Sequence, residues 1–185
     1  MFFQIISFLL DVVAGLLGGA CLLRLYMQVQ RIPFGNPVGR FIFALTDWIV
    51  LPLRRVLPSY RKWDTASLIA AYLLELAQFG ILWLMVGRGG GALVPVLALF
   101  GLVRLVISGV IGLVIVYAIL SWVHTASSML QDLVARLAEP LVRPVRKLIP
   151  LVGGVDLSPL VVIVLLQIVA IVLGDALGWA YALGR

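Results

Sequence analysis

Four apolar runs, each long enough to cross a bilayer, set the limits of what this chain can fold into. They cover residues 2–23, 66–86, 105–123 and 157–183, and the third can begin as early as Leu93. About 20 apolar residues span a hydrocarbon core roughly 30 Å thick as a helix. A closed β-barrel is the other spanning solution, and it needs apolar and polar residues in alternation. Residues 160–166 are apolar at every position, so that alternation fails. The chain is 63% hydrophobic and 12% charged, against about half and a quarter in soluble domains. The expectation is an all-α integral membrane protein with four transmembrane helices.

A duplication organises these runs. Pro52-Leu53-Arg54-Arg55-Val56-Leu57-Pro58, followed by Asp64, recurs as Pro144-Val145-Arg146-Lys147-Leu148-Ile149-Pro150, followed by Asp156 (144 minus 52, and 156 minus 64, both give 92). The sequence divides into a first repeat at 1–86, a Gly-rich turn at 87–92 and a second repeat at 93–185. Two spans per repeat return the chain to the side where it began. The copies are therefore expected to be parallel, related by an axis along the membrane normal.

The net charge of +6 is distributed for a membrane rather than for nucleic acid. Arg24, Arg31, Arg40, Arg54, Arg55, Arg61 and Lys62 lie between the first two spans; Arg136, Arg143, Arg146 and Lys147 lie between the last two. Arg88 alone occupies the central turn, and Arg185 follows the last span. The positive-inside rule places both basic loops in the cytoplasm and both termini outside. Anionic lipid headgroups are the expected partner for the loops. Asp11 interrupts the first run and Arg24 follows it, so this run reads as a retained span rather than a cleaved signal. Cys21 is the single cysteine, which excludes a disulfide framework.

Both loops carry helical patterning. Asn36 before Pro37 reads as an N-cap and first helical residue, and Ser128 occupies the equivalent place. Arg40 and Asp47 oppose Phe41, Ile42, Leu45, Trp48 and Ile49. Asp132, Arg136, Glu139 and Arg143 oppose Leu130, Leu133, Val134, Leu137 and Leu141, with an interruption or kink expected at Pro140. Such helices lie in the cytoplasmic interface or pack on the ends of the spans.

The second copy runs Glu139-Pro140-Leu141, then the motif, then Gly153-Gly154-Val155-Asp156-Leu157-Ser158-Pro159. Together with Asn36-Pro37, Pro52-Leu53-Arg54-Arg55, Asp64 and Ser67, it resembles the YggT family of small bacterial inner-membrane proteins. The resemblance covers almost the whole chain. Arg61-Lys62-Trp63 stands where the second copy has Gly153-Gly154-Val155, so the two loops need not share a partner. Bacterial members are associated with osmotic stress and potassium homeostasis. Plastid relatives are associated with haem attachment to a cytochrome and with nucleoid organisation and division. The resemblance implies no shared biochemical activity.

Candidate residues fall into three groups. Arg54, Arg55, Arg146 and Lys147 are candidate contacts for lipid phosphate or a partner, or set topology alone. Asp64 and Asp156 begin the second span of each repeat, Asp64 with Ser67 and Asp156 with Ser158; they cap those helices, or contribute to a cation or headgroup site. Asp11, Glu75, Gln78, Arg104, Gln167 and Asp175 are the polar residues within the spans. Asp11 maps at the 92-residue offset to within one position of Arg104, which suggests an ion pair at equal depth. Glu75 maps onto Gln167, as a proton or cation site or as an interhelical hydrogen-bonding pair. His124 is the only histidine, and neither a haem-ligating pair nor a zinc set is visible, so no cofactor is expected. Gly15, Gly18 and Gly19, with Gly101, Gly109 and Gly112, allow close helix approach between the two repeats or within a homo-oligomer. The leading expectation is a non-enzymatic scaffold or assembly factor in the bacterial inner membrane. The alternative is a small channel or transporter subunit using Glu75, Asp11 and Asp175.

Overall fold

A computed structural model describes residues 1–57, 63–86, 91–122, 129–148 and 156–183. Pro58, Arg61, Lys62, most of the Gly-rich turn with Arg88, His124, Ser128, Pro150, Gly153, Gly154, Val155 and Arg185 lie outside the described residues. Among the described residues, six α-helices follow in order: α1 Phe2–Val29, α2 Pro37–Val56, α3 Thr65–Val86, α4 Val94–Trp122, α5 Met129–Arg146 and α6 Ser158–Leu183. No strand occurs among the described residues. Among the described residues, four stretches are long and apolar enough to cross a membrane: Phe2–Val29, Thr65–Val86, Gly91–Ser121 and Ser158–Gly178.

Two boundaries differ from the sequence reading. α1 continues past residue 23, which puts Arg24 on the helix rather than in a loop. It can do so because its guanidinium finds partners on α2. α4 starts at Val94, the earlier of the two starts considered.

The prolines do not interrupt their helices. α5 runs through Pro140 and Pro144, and α2 through Pro52. Each proline removes one N–H and crowds the carbonyl four residues back. All three prolines are exposed, on the sides of their helices away from the core. The basic motif is accordingly not a separate segment. Arg54 and Arg55 form the last turn of α2, and Arg146 ends α5.

The chain forms two compact units. The first comprises residues 1–106 and 173–185, the second residues 107–172. In the first, Cys21, Val50, Ala66, Ala70, Ala71 and Leu102 form a shared core, drawn from α1, α2, α3 and the start of α4. The abundance of alanine there permits close backbone approach where lipid supplies no hydrophobic drive. In the second, Val114, Val142 and Val162 join α4, α5 and α6.

α2 begins where Asn36 accepts a hydrogen bond from Gly39 N at 2.7 Å, with Pro37 at the first helical position. The loop before it closes over Gly39 so tightly that an added methyl would meet the Phe34 backbone, at 2.8 Å from Cα. α2 then turns Gly39, Ile42, Thr46 and Val50 inward and leaves Phe41, Trp48, Leu51 and Val56 exposed.

Candidate functional site

The repeated motif builds an ion-paired latch where each loop helix meets the following span. Arg54 sits at the C-terminal end of α2, where the helix dipole favours a cation, and Asp64 precedes α3, where it favours an anion. Pairing them joins two complementary helix ends. Arg54 Nε donates to Asp64 Oδ1 at 3.3 Å, and Arg54 Nη2 donates to Asp64 Oδ2. Asp64 also accepts from Ser67, through the hydroxyl at 2.7 Å and the main-chain N–H at 3.4 Å, which is the geometry of a helix cap. Gln28 of α1 accepts from Arg54 Nη2 at 3.4 Å.

Arg24 completes this first latch, and the sequence reading had placed it only among the loop charges. Its side chain is 2% exposed and Asp64 is fully buried. Arg24 Nη1 donates to Thr46 Oγ1 at 2.8 Å and to Asp47 Oδ1 at 2.7 Å, and the guanidinium stacks over the Phe43 ring at 4.6 Å. Its Nε lies 3.8 Å from Asp64 Oδ2 and has no hydrogen-bond partner among the described residues. Two cations and two carboxylates thus interleave across α1, α2 and the start of α3. Burial pushes the Asp64 carboxyl up, but hydrogen bonds from Arg54 and Ser67 outweigh it and hold the group below the ordinary carboxylate value.

The second unit repeats the core of this arrangement. Arg146 Nε donates to Asp156 Oδ2 at 2.7 Å, and Asp156 Oδ1 accepts from Ser158 N at 2.9 Å at the start of α6. Arg146 also donates to Glu139 Oε2 at 3.3 Å and to Tyr117 Oη at 2.7 Å. Glu139 is the 92-residue counterpart of Asp47, a correspondence legible in the sequence that would have added both acids to the motif. Arg24 has no such counterpart: position 116 is valine, and Tyr117 reaches Arg146 instead. This latch is the more open one, with Arg146 36% and Asp156 27% exposed. Burial pushes the Asp156 carboxyl up, but Ser158 and Arg146 together outweigh it and hold the group below its ordinary value. The Ser158 hydroxyl is buried without a hydrogen-bond partner among the described residues. Arg55 and Lys147, beside the two latches, are exposed.

Sequence and latches coincide with one family. Its model, CCB3/YggT, matches residues 3–85 and again residues 96–177, so each match contains one Arg–Asp latch. The chain belongs to the CCB3/YggT family. The protein of Escherichia coli K12 named "Uncharacterized protein YggT" is 37% identical over 169 residues, covering 89% of this chain and 86% of that relative. A Vibrio alginolyticus protein named for the proC 3' region is 33% identical over 175 residues, covering 93% and 95%. A Haemophilus influenzae relative is 32% identical over 162 residues, covering 85% and 84%. No solved structure matches the chain.

Within the spans of this CCB3/YggT chain, the polar residues are placed unevenly. Glu75 and Gln78 are buried on α3, whereas Asp11, Arg104, Gln167 and Asp175 are exposed. The expected Asp11–Arg104 ion pair does not form. Asp11 Oδ1 accepts from Gln78 Nε2 at 3.3 Å, because the buried amide on α3 offers a donor. Glu75 feels the charges of both Asp11 and Arg104. Its carboxylate abuts Gly101, where an added methyl would meet Glu75 Oε2 and approach the Phe79 ring to 2.7 Å. Glu75 is thus enclosed while Gln167, its counterpart, faces outward. α1 approaches α4 at Gly18, where an added methyl would sit 2.8 Å from Leu105 Cδ2. No group of three metal-binding side chains occurs among the described residues.

Proposed function

We propose that this chain is a non-enzymatic protein of the bacterial inner membrane that supports osmotic-stress or potassium homeostasis as a scaffold or assembly factor. In this reading both loop helices lie on the cytoplasmic face and both termini outside. The observation that carries it is the pair of latches. Arg54–Asp64 and Arg146–Asp156 commit the motif's most distinctive charges to fixing α2 and α5 on the spans, rather than to an open reaction site. What remains free is surface. α2 turns Phe41, Trp48, Leu51 and Val56 away from the core, with Arg40 and Arg55 exposed beside them. A helix with one apolar face on protein and another unpartnered suits the membrane interface, and its basic residues suit anionic headgroups. The osmotic and potassium assignment rests on the family resemblance.

The test is complementation of a deletion strain under hyperosmotic, potassium-limited growth. Arg55→Gln with Lys147→Gln leaves both latches intact and removes the exposed charge next to each of them. The scaffold reading expects lost complementation at unchanged membrane abundance. Full complementation by that variant would refute it.

A second reading, a cation pathway, is favoured by one observation: Glu75 is buried within electrostatic reach of Asp11 and Arg104. Potassium flux in proteoliposomes that disappears with Glu75→Gln would establish this reading in place of the scaffold. No flux from correctly inserted protein would remove it.

A further inference from the structure

α6 has one face packed on its own unit and a second, adjoining one left bare. Val162 is buried, and Ile163 and Leu166 pack beside it with Val114 and Val142. On the adjoining flank Leu160, Val164, Gln167, Ile171, Gly174 and Gly178 are all exposed. They follow at steps of four, three, four, three and four, the spacing of a coiled-coil seam. The span that carries them is the barest of the four described: 6% of it is buried, against 17% to 22% of the others. Apolar side chains on such a surface rest against lipid tails at no cost, and its glycines by themselves call for nothing. Gln167 does. It stands nine residues from the start of the Ser158–Gly178 span and eleven from its end (167 minus 158, 178 minus 167). At about 1.5 Å per residue that is roughly 14 Å from one end and 16 Å from the other, the middle of the hydrocarbon core. Its amide makes no hydrogen bond among the described residues. A polar group unpartnered at that depth is expensive, because lipid offers neither donor nor acceptor. Asp175 is exposed as well, but it stands three residues from the end of the span, close to water.

In the first repeat the same flank is covered by a helix. Gln167 and Ile171 correspond at the 92-residue offset to Glu75 and Phe79 (167 minus 92, 171 minus 92). Both of these lie against Gly101 of α4. α1 is not equipped to cover the second flank in the same way. The counterpart of Gly101 is position 9, an exposed leucine, which offers neither the space of a glycine nor a hydrogen bond. A second Gln167 offers what is missing. A primary amide carries both a donor and an acceptor, so two of them facing each other satisfy each other. Identical residues related by an axis along the membrane normal lie at the same depth by symmetry.

We propose that two copies of this chain pair through α6 about a two-fold axis along the membrane normal, Gln167 of each copy hydrogen-bonded to the partner's Gln167 at the centre of the seam. Leu160, Val164 and Ile171 pack around that amide pair, and Gly174 and Gly178 admit close approach toward the end of the span. One polar residue in an otherwise apolar seam fixes the register of the two helices. The pairing asks nothing of the latches or of Glu75, so it stands apart from both functional readings above.

The experiment is disulfide trapping of the full-length chain in native membranes, in a Cys21→Ala background, with one cysteine introduced at a time on α6 and a copper oxidant added. Ile171→Cys and Gly174→Cys lie on the seam and should give disulfide-linked dimers. Val169→Cys and Val172→Cys are also exposed but lie on another side of the helix, and they should give clearly less. Gln167→Leu, added to Ile171→Cys, removes the amide at an exposed position where one copy loses no contact of its own. Linked dimer should then fall about tenfold at unchanged abundance. Linkage equal all round α6, linkage stronger at Val169→Cys or Val172→Cys, the absence of linked dimer, or linkage undiminished by Gln167→Leu would each overturn the proposal. So would a linked product of another mass, this chain joined to a different membrane protein, which would give the seam to that partner.

Discussion

Neutralising Asp64 tests whether the first latch holds the fold through buried charge. Asp64→Asn conserves volume and, since asparagine is as good an N-cap as aspartate, conserves the cap on α3. It removes the one negative charge shared by Arg54 and the nearby Arg24. Arg24, 2% exposed, then keeps one carboxylate, Asp47, itself 40% exposed, beside neutral Thr46 and Phe43. Breaking a buried pair by losing one partner costs about 3–5 kcal/mol, and a retained amide acceptor places this change near the lower end, about 3 kcal/mol. Asp156→Asn is the internal control. Its pair is partly exposed, and Arg146 keeps Glu139 and Tyr117. Pairs of that kind contribute up to about 1 kcal/mol. Reversible unfolding by SDS titration in mixed micelles should separate the two variants by roughly 2 kcal/mol. Asp64→Ala should lose about 1 kcal/mol more than Asp64→Asn, through the cap. Equal losses at Asp64 and Asp156, or a larger loss at Asp156, would refute burial as the source of the asymmetry between the latches.

Acid should weaken the fold through the same carboxyls. Asp64 and Asp156 titrate below the ordinary value in the folded chain, so the unfolded chain binds more protons between the folded values and about 4. Their stabilisation is complete above that window and is lost as pH falls through it; the Asp64→Asn, Asp156→Asn double variant should show a flatter acid limb in unfolding titrations. Gly39→Ala should cost about 1–3 kcal/mol, because its methyl meets the rigid Phe34 backbone. Gly18→Ala should cost clearly less, because Leu105 Cδ2 is the end of a movable side chain; the order of the two thermal midpoints in detergent checks this. Tyr117→Phe should lower stability by about 1 kcal/mol by removing an acceptor from Arg146, and Arg146→Gln should abolish that difference.

The fold class was legible because the bilayer leaves so few solutions: four runs without alternation admit only helices. The latch was half legible. The 92-residue offset brought Arg54, Asp64, Arg146 and Asp156 forward, since repetition marks residues whose pairing is built into each copy. It was blind to Arg24, which exists in one copy only and ends an apolar run, where a basic residue ordinarily signals topology. Burial depends on what a neighbouring helix offers, here Thr46, Asp47 and the Phe43 ring, and such an offer carries no local sequence signal. The same reasoning explains Asp11 and Arg104. Offset arithmetic fixes position along a repeat but not which levels or faces of neighbouring helices meet. It predicted equal depth, whereas Gly18, seven residues beyond Asp11, is the α1 residue that meets Leu105 beside Arg104. Buried Gln78 diverts Asp11, and Arg104 is left exposed at the surface. The two repeats share a scaffold of arginine and aspartate. They differ where one copy adds a buried cation and encloses Glu75, while the other offers Tyr117 and an exposed Gln167. Duplication supplied the frame, and the polar residues outside the repeat pattern are what distinguish the two copies' chemistry.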